Sequence, residues 1–492
     1  MTGLYEQMEL NRMSFSFFIP EIFLACGIIL LITLGLITKR NSSLFSFVSL
    51  GIFLTSLSAI IFFWSLYSVP INIFNGMLRN DDFSAYLKIL IDVASILTVL
   101  MTWRNQKQLR LSEYYALLIA AVLGAHLLVM SMNLVTIFIS LELISISSYV
   151  LAGFSFSKAG AEGSLKYFLF GSVASAAMLY GFTFLYGLTG TLNFSSPEFV
   201  NAIINKTSPL FFVAGILAMA GFFYKMAAAP LHPWTPDVYE AAPMPIVAFF
   251  SVVPKLAGLA VLAKFSLALN LFGQSQYDWQ AIVCIVAILS LTVGNFSALW
   301  QKRPKRLMAY SSIAQSGFLL VGVAAFIPNG IHFMLFYASI YTVSNFLIFF
   351  YLQYFESIGL HTLESFAGKG KKLAIPFFAV LVGFLSLTGL PPTAGFTGKL
   401  FIFSSLWQSY QGSGKQILLW LLIFGLLNTV VSLFYYLRIP FYAFVKPVES
   451  DFKAKNPRFE NFLGVILVLL ILILFFNPDL LMRWINKINF VL

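Results

Sequence analysis

The stretch Y-K-M-A-A-A-P-L-H-P-W-T-P-D-V-Y-E-A-A-P-M-P-I-V-A-F-F-S-V-V-P-K, from Tyr224 to Lys255, decides the fold of this chain. Lys225 and Lys255 bracket six prolines, at positions 230, 233, 236, 243, 245 and 254. Proline removes a backbone N–H and breaks a helix. At membrane depth, a broken helix is tolerated only when it is buried in protein or lines a watery cavity. The stretch therefore predicts an interrupted membrane helix, and its lysines indicate an ion path.

The composition is typical of a membrane protein. Of the 492 residues, 59% are hydrophobic and 10% are charged, and the mean hydropathy is +0.88. The 54 phenylalanines fit this class because a helix that faces lipid can be apolar all round. We predict one all-α, multi-pass membrane protein, with the lipid bilayer as a partner, rather than several soluble domains.

Motifs for cofactors, metals and nucleic acid are missing from the sequence. Cys26 and Cys284 lie in apolar runs without metal or disulfide spacing, and no glycine-rich phosphate cradle follows a strand signal. The net charge of +11 comes from short loops between apolar runs, which is the positive-inside pattern rather than a nucleic-acid surface. We expect no bound cofactor, no metal and no nucleic-acid partner.

Apolar runs of about 20 residues predict about 14 transmembrane helices. Spans seven, near 208–236, and twelve, near 373–411, are predicted to be discontinuous, with breaks at 230–233 and 388–399. The other twelve runs lie near 18–38, 44–67, 84–103, 113–131, 133–154, 163–188, 244–268, 279–299, 306–327, 329–354, 415–440 and 460–481.

Loop charges predict the orientation. Lys and Arg concentrate after odd-numbered spans, in groups that include Lys39 and Arg40, Arg104 and Lys107, Lys302 to Arg306, Lys369 to Lys372, and Lys446 to Arg458. Loops after even-numbered spans are nearly bare of both residue types. The positive-inside rule therefore places the basic loops in the cytoplasm and both termini outside. No cleavage signal follows a basic start, so we expect the first span to be retained.

The two discontinuous spans are five spans apart and run in opposite directions. Interrupted helices at corresponding positions of two halves are typical of inverted-repeat transporters. We predict two inverted five-helix repeats, formed by spans four to eight and spans nine to thirteen. The corresponding regions are 113–270 and 271–442, between an N-terminal three-helix segment, 1–112, and a C-terminal loop and last span, 443–492.

Ionisable residues inside the spans are the candidate proton relay. Glu142 lies about nine residues into its span, which is roughly 14 Å at 1.5 Å per residue and near the middle of the membrane. Lys255 lies at a similar depth, and Lys225 and Lys399 lie beside the two breaks. Desolvation disfavours a charged lysine and a nearby carboxylate favours it, so a moving partner would switch its charge. Glu142 is the natural partner of Lys225.

Three further residues are weaker relay candidates. They are Lys166 near the start of span six, His232 at the first break and His332 in span eleven. For Lys166 the alternative is a stem that carries its ammonium to the membrane surface. For His332 the alternative is a core histidine with satisfied hydrogen bonds.

Structural interpretations are favoured for other charges. Lys264 is expected to reach the membrane surface. Lys88 and Asp92 are one helical turn apart and are expected to pair. Asp237 and Glu240 follow the first break and are expected to be solvated or salt-bridged.

Several motifs resemble one known family. They are L-E-L-I-S-I-S-S-Y-V-L, S-L-K-Y-F-L-F-G, the stretch quoted first, K-R-L-M-A-Y-S-S-I-A-Q-S-G and L-T-G-L-P-P-T-A-G-F-T-G-K, in order within roughly residues 18–445. Together they resemble the antiporter-like membrane subunits of complex I, the bacterial NADH-quinone oxidoreductase. The W-T-P-D-V-Y loop and Lys399 favour one of the paralogous subunits of that family.

The resemblance implies a proton-translocating subunit of the bacterial inner membrane, with both termini periplasmic and no redox centre of its own. NADH, FMN, iron–sulfur clusters and quinone would bind to partner subunits, and other membrane subunits would be its neighbours. The resemblance also implies that Glu142 and Lys225 form the family's glutamate–lysine pair. Lys255 would be the central lysine, Lys399 the lysine that leads to the outer face, and Lys166 a further family lysine.

Three alternatives stay open at this point. An Mrp-type cation/proton antiporter shares the spans and lysines, and so does a membrane-bound hydrogenase or photosynthetic complex. The D-V-Y sequence after the first break favours the oxidoreductase. A solute transporter is a further alternative, but the breaks carry lysines with little additional polar lining to bind a solute.

Overall fold

A computed structural model of the chain describes residues 12–38, 42–66, 70–103, 110–205, 208–269, 277–447 and 457–490. A hairpin of β1 (Ile71–Ile73) and β2 (Leu78–Asn80) pairs Ile71 with Asn80. The loop residues Lys39, Arg40, Arg104, Lys107, Lys453 and Lys455 lie outside the described residues.

The long helices of the first half follow the predicted spans, while two short helices, Pro197–Asn205 and Trp234–Ala241, lie largely outside them. The helices are α1 (Ile19–Ile37), α2 (Ser42–Leu66), α3 (Asp82–Trp103), α4 (Leu111–Met130), α5 (Leu134–Ala152), α6 (Lys158–Thr189), α7 (Pro197–Asn205), α8 (Pro209–Lys225), α9 (Trp234–Ala241) and α10 (Met244–Leu269).

The helices of the second half follow the predicted spans too. They are α11 (Trp279–Leu299), α12 (Pro304–Ala324), α13 (Pro328–Ser357), α14 (Ala374–Thr388), α15 (Ala394–Ser413), α16 (Gln416–Tyr436), α17 (Arg438–Phe444), α18 (Arg458–Phe476) and α19 (Asp479–Ile485). A single 3₁₀ turn, Glu364–Phe366, precedes α14.

Helix length and composition support a multi-pass membrane protein. Within the described ranges, 12 helices are long and apolar enough to cross a membrane. Two shorter apolar helices, α8 and α14, form the first parts of the two interrupted spans. The predicted all-α membrane fold is confirmed, while the count of 14 spans stays a prediction.

The chain divides into two compact units. The first takes its residues from Met1–Met226, Ala241–Trp279 and Ile488–Leu492, and the second from Ala227–Glu240 and Gln280–Lys487. In the first unit α10 is almost completely buried and packs against α3, α4 and α8. In the second unit α13 packs against α12, α14, α15 and α18. The four-region division made from the sequence stays a prediction.

The first interruption follows from its prolines. Helix α8 ends at Lys225, and the chain resumes a helical path only at Trp234. Pro230 and Pro233 have no N–H to donate. Ala229, which lies within the interruption, cannot make a helical hydrogen bond. Its backbone N–H donates to Ser290 Oγ on α11 at 2.8 Å, so a side chain satisfies it.

The second interruption is shorter than expected. Helix α14 ends at Thr388, and Gly389 follows in the left-handed conformation with φ of 84°. Helix α15 starts at Ala394, so Lys399 lies inside a helix rather than at the end of the break. The reason is that Pro391 and Pro392 are the last prolines of the break. Thr393 is the extended residue before the helix, and the residues from Ala394 onwards are helical.

Close packing of α14 and α15 depends on Gly395. A Cβ placed there would lie 1.7 Å from the Ser386 carbonyl oxygen, which is backbone and has little room to move. We expect Gly395→Ala to lower the free energy of unfolding by about 1–3 kcal/mol or more through overpacking. The thermal unfolding midpoint of the purified protein measures this.

Gly412→Ala is the matched control because Gly412 lies in the same helix with no atom within 4 Å of its added Cβ. Alanine is favoured over glycine in a helix by roughly 0.5–1 kcal/mol, so we expect an unchanged or higher midpoint. Equal midpoints for the two variants would show that the contact at Gly395 does not constrain the break.

Candidate functional site

Lys225 is the last residue of α8 and is 4% exposed. Its Nζ lies 5.6 Å from the ring centroids of Tyr149 and Tyr167 and 5.8 Å from that of Tyr224. Among the described residues, this Nζ has no hydrogen-bond partner. Aromatic faces attract a cation within about 6 Å. The three tyrosine rings therefore form a cage that can stabilise the charged form of this predicted relay lysine.

Glu142 lies near this tyrosine cage, in the middle of α5. Its carboxylate interacts electrostatically with Lys225, and its buried Oε1 has no hydrogen-bond partner within the described ranges. The structure therefore brings the predicted carboxylate and lysine together without locking them into one hydrogen bond. A pair held in this way can change its separation, and with it the charge on the lysine.

The three tyrosines were not predicted from the sequence. Tyr224 donates its hydroxyl to the Tyr167 carbonyl at 2.8 Å. A Cβ added at Gly171 would lie 1.8 Å from the Tyr149 hydroxyl, so this glycine makes the space for the cage. The only sequence signal was position, since each tyrosine lies within the motifs that also contain Glu142, Lys166 or Lys225.

Lys255 lies on α10 and is 1% exposed. A Cβ added at Gly258 would lie 3.4 Å from Lys225 Cβ and 3.1 Å from Met226 Cγ. The end of α8 therefore packs against α10 within one turn of Lys255. In the first unit, Glu142, Lys225 and Lys255 lie on α5, α8 and α10, and α10 contacts both of the other helices.

Lys399 belongs to the second unit and is 3% exposed. Its Nζ donates to the Thr388 carbonyl at 3.0 Å and lies 3.6 Å from the ring centroid of Phe318. Thr388 is the last residue of α14, and the C-terminus of a helix carries partial negative charge. Gln315, inside a quoted motif but not predicted to act, donates to the preceding carbonyl, of Leu387, at 3.1 Å.

The weaker candidates lie in different surroundings. Lys166 Nζ lies 2.9 Å from Glu162 Oε1, and the lysine side chain is 41% exposed. His232 is half-buried at the first break, and its Nδ1 has no hydrogen-bond partner in the part of the chain that the structure describes. His332 is half-buried near the start of α13. Their roles stay predictions.

Two structural interpretations of charged residues are wrong. Lys264 does not reach a surface, because its Nζ lies 3.4 Å from Asp81 Oδ2 and donates to the Val129 carbonyl at 2.9 Å. Lys88 does not pair with Asp92, because its Nζ lies 3.1 Å from Glu21 Oε1. In both cases the carboxylate partner is distant in sequence and does not belong to the helix of the lysine.

The prediction for the loop after the first break is confirmed. Arg306 Nη1 lies 3.2 Å from Asp237 Oδ1 and 2.9 Å from Glu240 Oε2. Arg303 also pairs with Glu240. These ion pairs hold α9 against the start of α12, so the two carboxylates are structural in this arrangement.

Comparisons with known proteins connect this geometry to one family. Residues 131–430 match the family described as "NADH:quinone oxidoreductase/Mrp antiporter, TM". The chain is 37% identical over 487 residues to the NADH-quinone oxidoreductase subunit N of Chlorobium chlorochromatii, covering 95% of this chain and 93% of that protein. It is 36% identical over 464 residues to subunit N of an Anaeromyxobacter species, covering 89% of each.

Solved structures show the same fold. A chain of respiratory complex I from Thermus thermophilus superposes with a TM-score of 0.79 at 29% identity, covering 96% of this chain and all of that one. A chain of the Mrp complex from a Dietzia species superposes with a TM-score of 0.82 at 18% identity, covering 95% and 96%. At that lower identity the likeness shows a shared fold alone.

Proposed function

The chain belongs to the membrane-subunit family of NADH:quinone oxidoreductases and Mrp antiporters, and we propose that it translocates protons as subunit N of an NADH-quinone oxidoreductase. The paralogue that the W-T-P-D-V-Y loop and Lys399 favoured is this same subunit N. The chain is a multi-pass integral membrane protein and part of a translocase.

The observation that carries this proposal is how the two broken helices hold their lysines. Lys225 ends α8 inside its tyrosine cage, and Lys399 binds the last carbonyl of α14. A half-helix end in the membrane is a typical ion site of transporters. A lysine held by rings or a carbonyl, instead of a fixed carboxylate, can give up and regain a proton.

We assign the relay to Glu142, Lys225, Lys255 and Lys399, with Lys166, His232 and His332 as secondary members. Redox chemistry in partner subunits would change the separation of Glu142 and Lys225. The lysine would then lose its proton when its carboxylate moves away, because burial disfavours an uncompensated charge. Lys255 would take up the proton within the first unit, and Lys399 would pass it towards the outer face.

The partners and location follow from the same family. The chain would contact other membrane subunits of complex I, while NADH, FMN, iron–sulfur clusters and quinone bind elsewhere in the assembly. It would lie in the bacterial inner membrane with both termini periplasmic. The Mrp antiporter alternative has weaker support, since the relatives at 35–37% identity include several named subunit N.

Glu142→Gln tests the relay in membranes that contain the whole complex. Glutamine keeps the shape of the side chain but cannot ionise, so Lys225 loses its counter-charge. We expect proton transfer through this subunit to slow about 100-fold or more, the scale of losing one positioned acid–base group. Proton uptake per NADH oxidised should fall accordingly. NADH absorbance and a pH-sensitive dye recorded together measure the ratio.

Glu113→Gln makes the same charge change at an exposed residue of α4 and should leave the ratio unchanged. A normal ratio in Glu142→Gln, with normal assembly, would remove Glu142 from the relay. If NADH drives no uptake even in the wild type but added Na⁺ does, the antiporter alternative is correct.

A further inference from the structure

A second group of buried ionisable residues lies in the first unit, on α1, α3 and α4. His126 Nδ1 lies 3.4 Å from Glu21 Oε1, and its Nε2 lies 3.2 Å from Asp92 Oδ1. Glu21 Oε1 also lies 3.1 Å from Lys88 Nζ. All four side chains are 0–2% exposed. The imidazole thus lies between two carboxylates, and within the described ranges neither ring nitrogen makes a well-aligned hydrogen bond. The family motifs quoted above do not include this arrangement.

The proton count of this cluster is unusual. A neutral imidazole has one N–H, so its second nitrogen would face a carboxylate oxygen with both presenting lone pairs. With Glu21 and Asp92 ionised and Lys88 charged, the cluster also keeps one uncompensated negative charge. A proton added to His126 gives both ring nitrogens an N–H that can face a carboxylate. It also cancels the remaining negative charge, whose burial is strongly disfavoured.

Within the described ranges, the surrounding elements supply no other cation to Asp92. From α2, Ser56 donates to Asp92 Oδ2 at 2.8 Å. The other elements packed against α4 carry few ionisable groups in the described ranges. They are Glu142 and Tyr149 on α5, Lys255 and Lys264 on α10, Arg79 on β2, Asp82 and Tyr86 on α3, and Glu113, Tyr114 and Tyr115 on α4 itself. Lys264 and Arg79 lie beside Asp81 instead.

A recess leads to this cluster. Its volume is about 20 Å³, which is enough for about one water molecule. Its lining includes Trp64, Asp81, Asp82 and Lys88. Part of the lining belongs to the connection between α2 and α3, which follows an even-numbered span and is therefore predicted to face outside. Lys88 lines the recess and contacts Glu21, so it is the side chain that joins the cluster to the recess.

We propose that Glu21, His126 and Asp92 bind one proton and release it through the recess beside Lys88. In the release step, His126 Nδ1–H passes its proton to the Glu21 carboxylate, which leaves a neutral imidazole and a carboxylic acid. Lys88, which lines the recess, then gives one ammonium proton to water there and takes the Glu21 proton in its place. A later proton restores the imidazolium. This site rests on the proposed proton translocation and adds an exit distinct from Lys399.

The test compares two variants that differ in charge. Asp92→Asn with His126→Gln leaves Glu21 and Lys88 as a neutral pair, but it removes the proton-binding site. His126→Gln alone leaves one uncompensated negative charge. In membranes containing the complex, we expect the double variant to assemble like the wild type and to lose proton uptake per NADH about as strongly as Lys255→Ala. The single variant should assemble less well.

His361→Gln, at an exposed loop histidine, is the control and should behave like the wild type. If the double variant assembles and pumps normally while Lys255→Ala does not, the inference fails and the proposed function stands. If Lys255→Ala also pumps normally, the proposed relay fails independently.

A measurement on the unaltered cluster covers the case in which neither variant folds. The full chain contains four histidines, so ¹⁵N-histidine labelling in lipid bilayers gives few signals. The His126 signal is the one that persists in His232→Gln, His332→Gln and His361→Gln. Two protonated ring nitrogens near neutral pH support the proposal, and a single protonated nitrogen overturns it.

Discussion

Lys255→Ala is expected to slow proton transfer through this subunit about 100-fold or more, so fewer protons should be taken up per NADH oxidised. Lys255 is 1% exposed on a helix that is almost completely buried. Alanine has no group that can bind or release a proton, so the variant loses the proton carrier at this position. Simultaneous recording of NADH oxidation and proton uptake in membranes measures the effect.

Lys371→Ala provides the control, because Lys371 is an exposed residue in a predicted cytoplasmic loop. It removes the same charge without touching a buried path, and its proton uptake should match the wild type. Normal uptake in Lys255→Ala, with the complex assembled, would exclude the central lysine from the relay. The fold would be unaffected by that result, since it rests on helix pattern and not on proton transfer.

The helices could be predicted because their signal is local. A run of about 20 apolar residues has few alternatives to a membrane helix, and the observed bounds of α10 and α11 differ by no more than one residue from the predicted 244–268 and 279–299. The two breaks were equally readable, since proline acts on the backbone of its own helix. The predicted position of Lys399, at the end of the break, was less accurate. Helix α15 begins two residues after Pro392, so Lys399 lies inside it.

The contacts of the buried charges could not be predicted in the same way. Helical periodicity relates only residues three or four positions apart, which suggested that Lys88 pairs with Asp92. The observed partner, Glu21, is 67 positions away along the chain, and the Tyr224–Tyr167 contact spans 57. Such pairs depend on which helices become neighbours, and a single sequence carries no direct signal for that choice.

The Asp81–Lys264 pair shows how strongly such a contact constrains the fold. We expect Asp81→Asn to lower the free energy of unfolding by about 3–5 kcal/mol, because removing one partner leaves a buried charge uncompensated. Lys264 is 2% exposed and would keep the Val129 carbonyl and the Phe83 ring, whose centroid is 5.7 Å from Nζ, but no counter-charge from Asp81. Asparagine retains the oxygen that accepts the Ser84 N–H at 2.7 Å, so the start of α3 stays capped.

A double variant separates this charge effect from a general disturbance. Asp81→Asn with Lys264→Met removes both charges, and replacing a buried ion pair by neutral groups of similar size is often close to neutral in stability. The double variant should therefore unfold at a higher temperature than Asp81→Asn alone. If both variants unfold at the same temperature, the Lys264 charge does not cause the lost stability. The loss would then arise from packing or from the contact of Asp81 with Arg79, which lies 3.9 Å away.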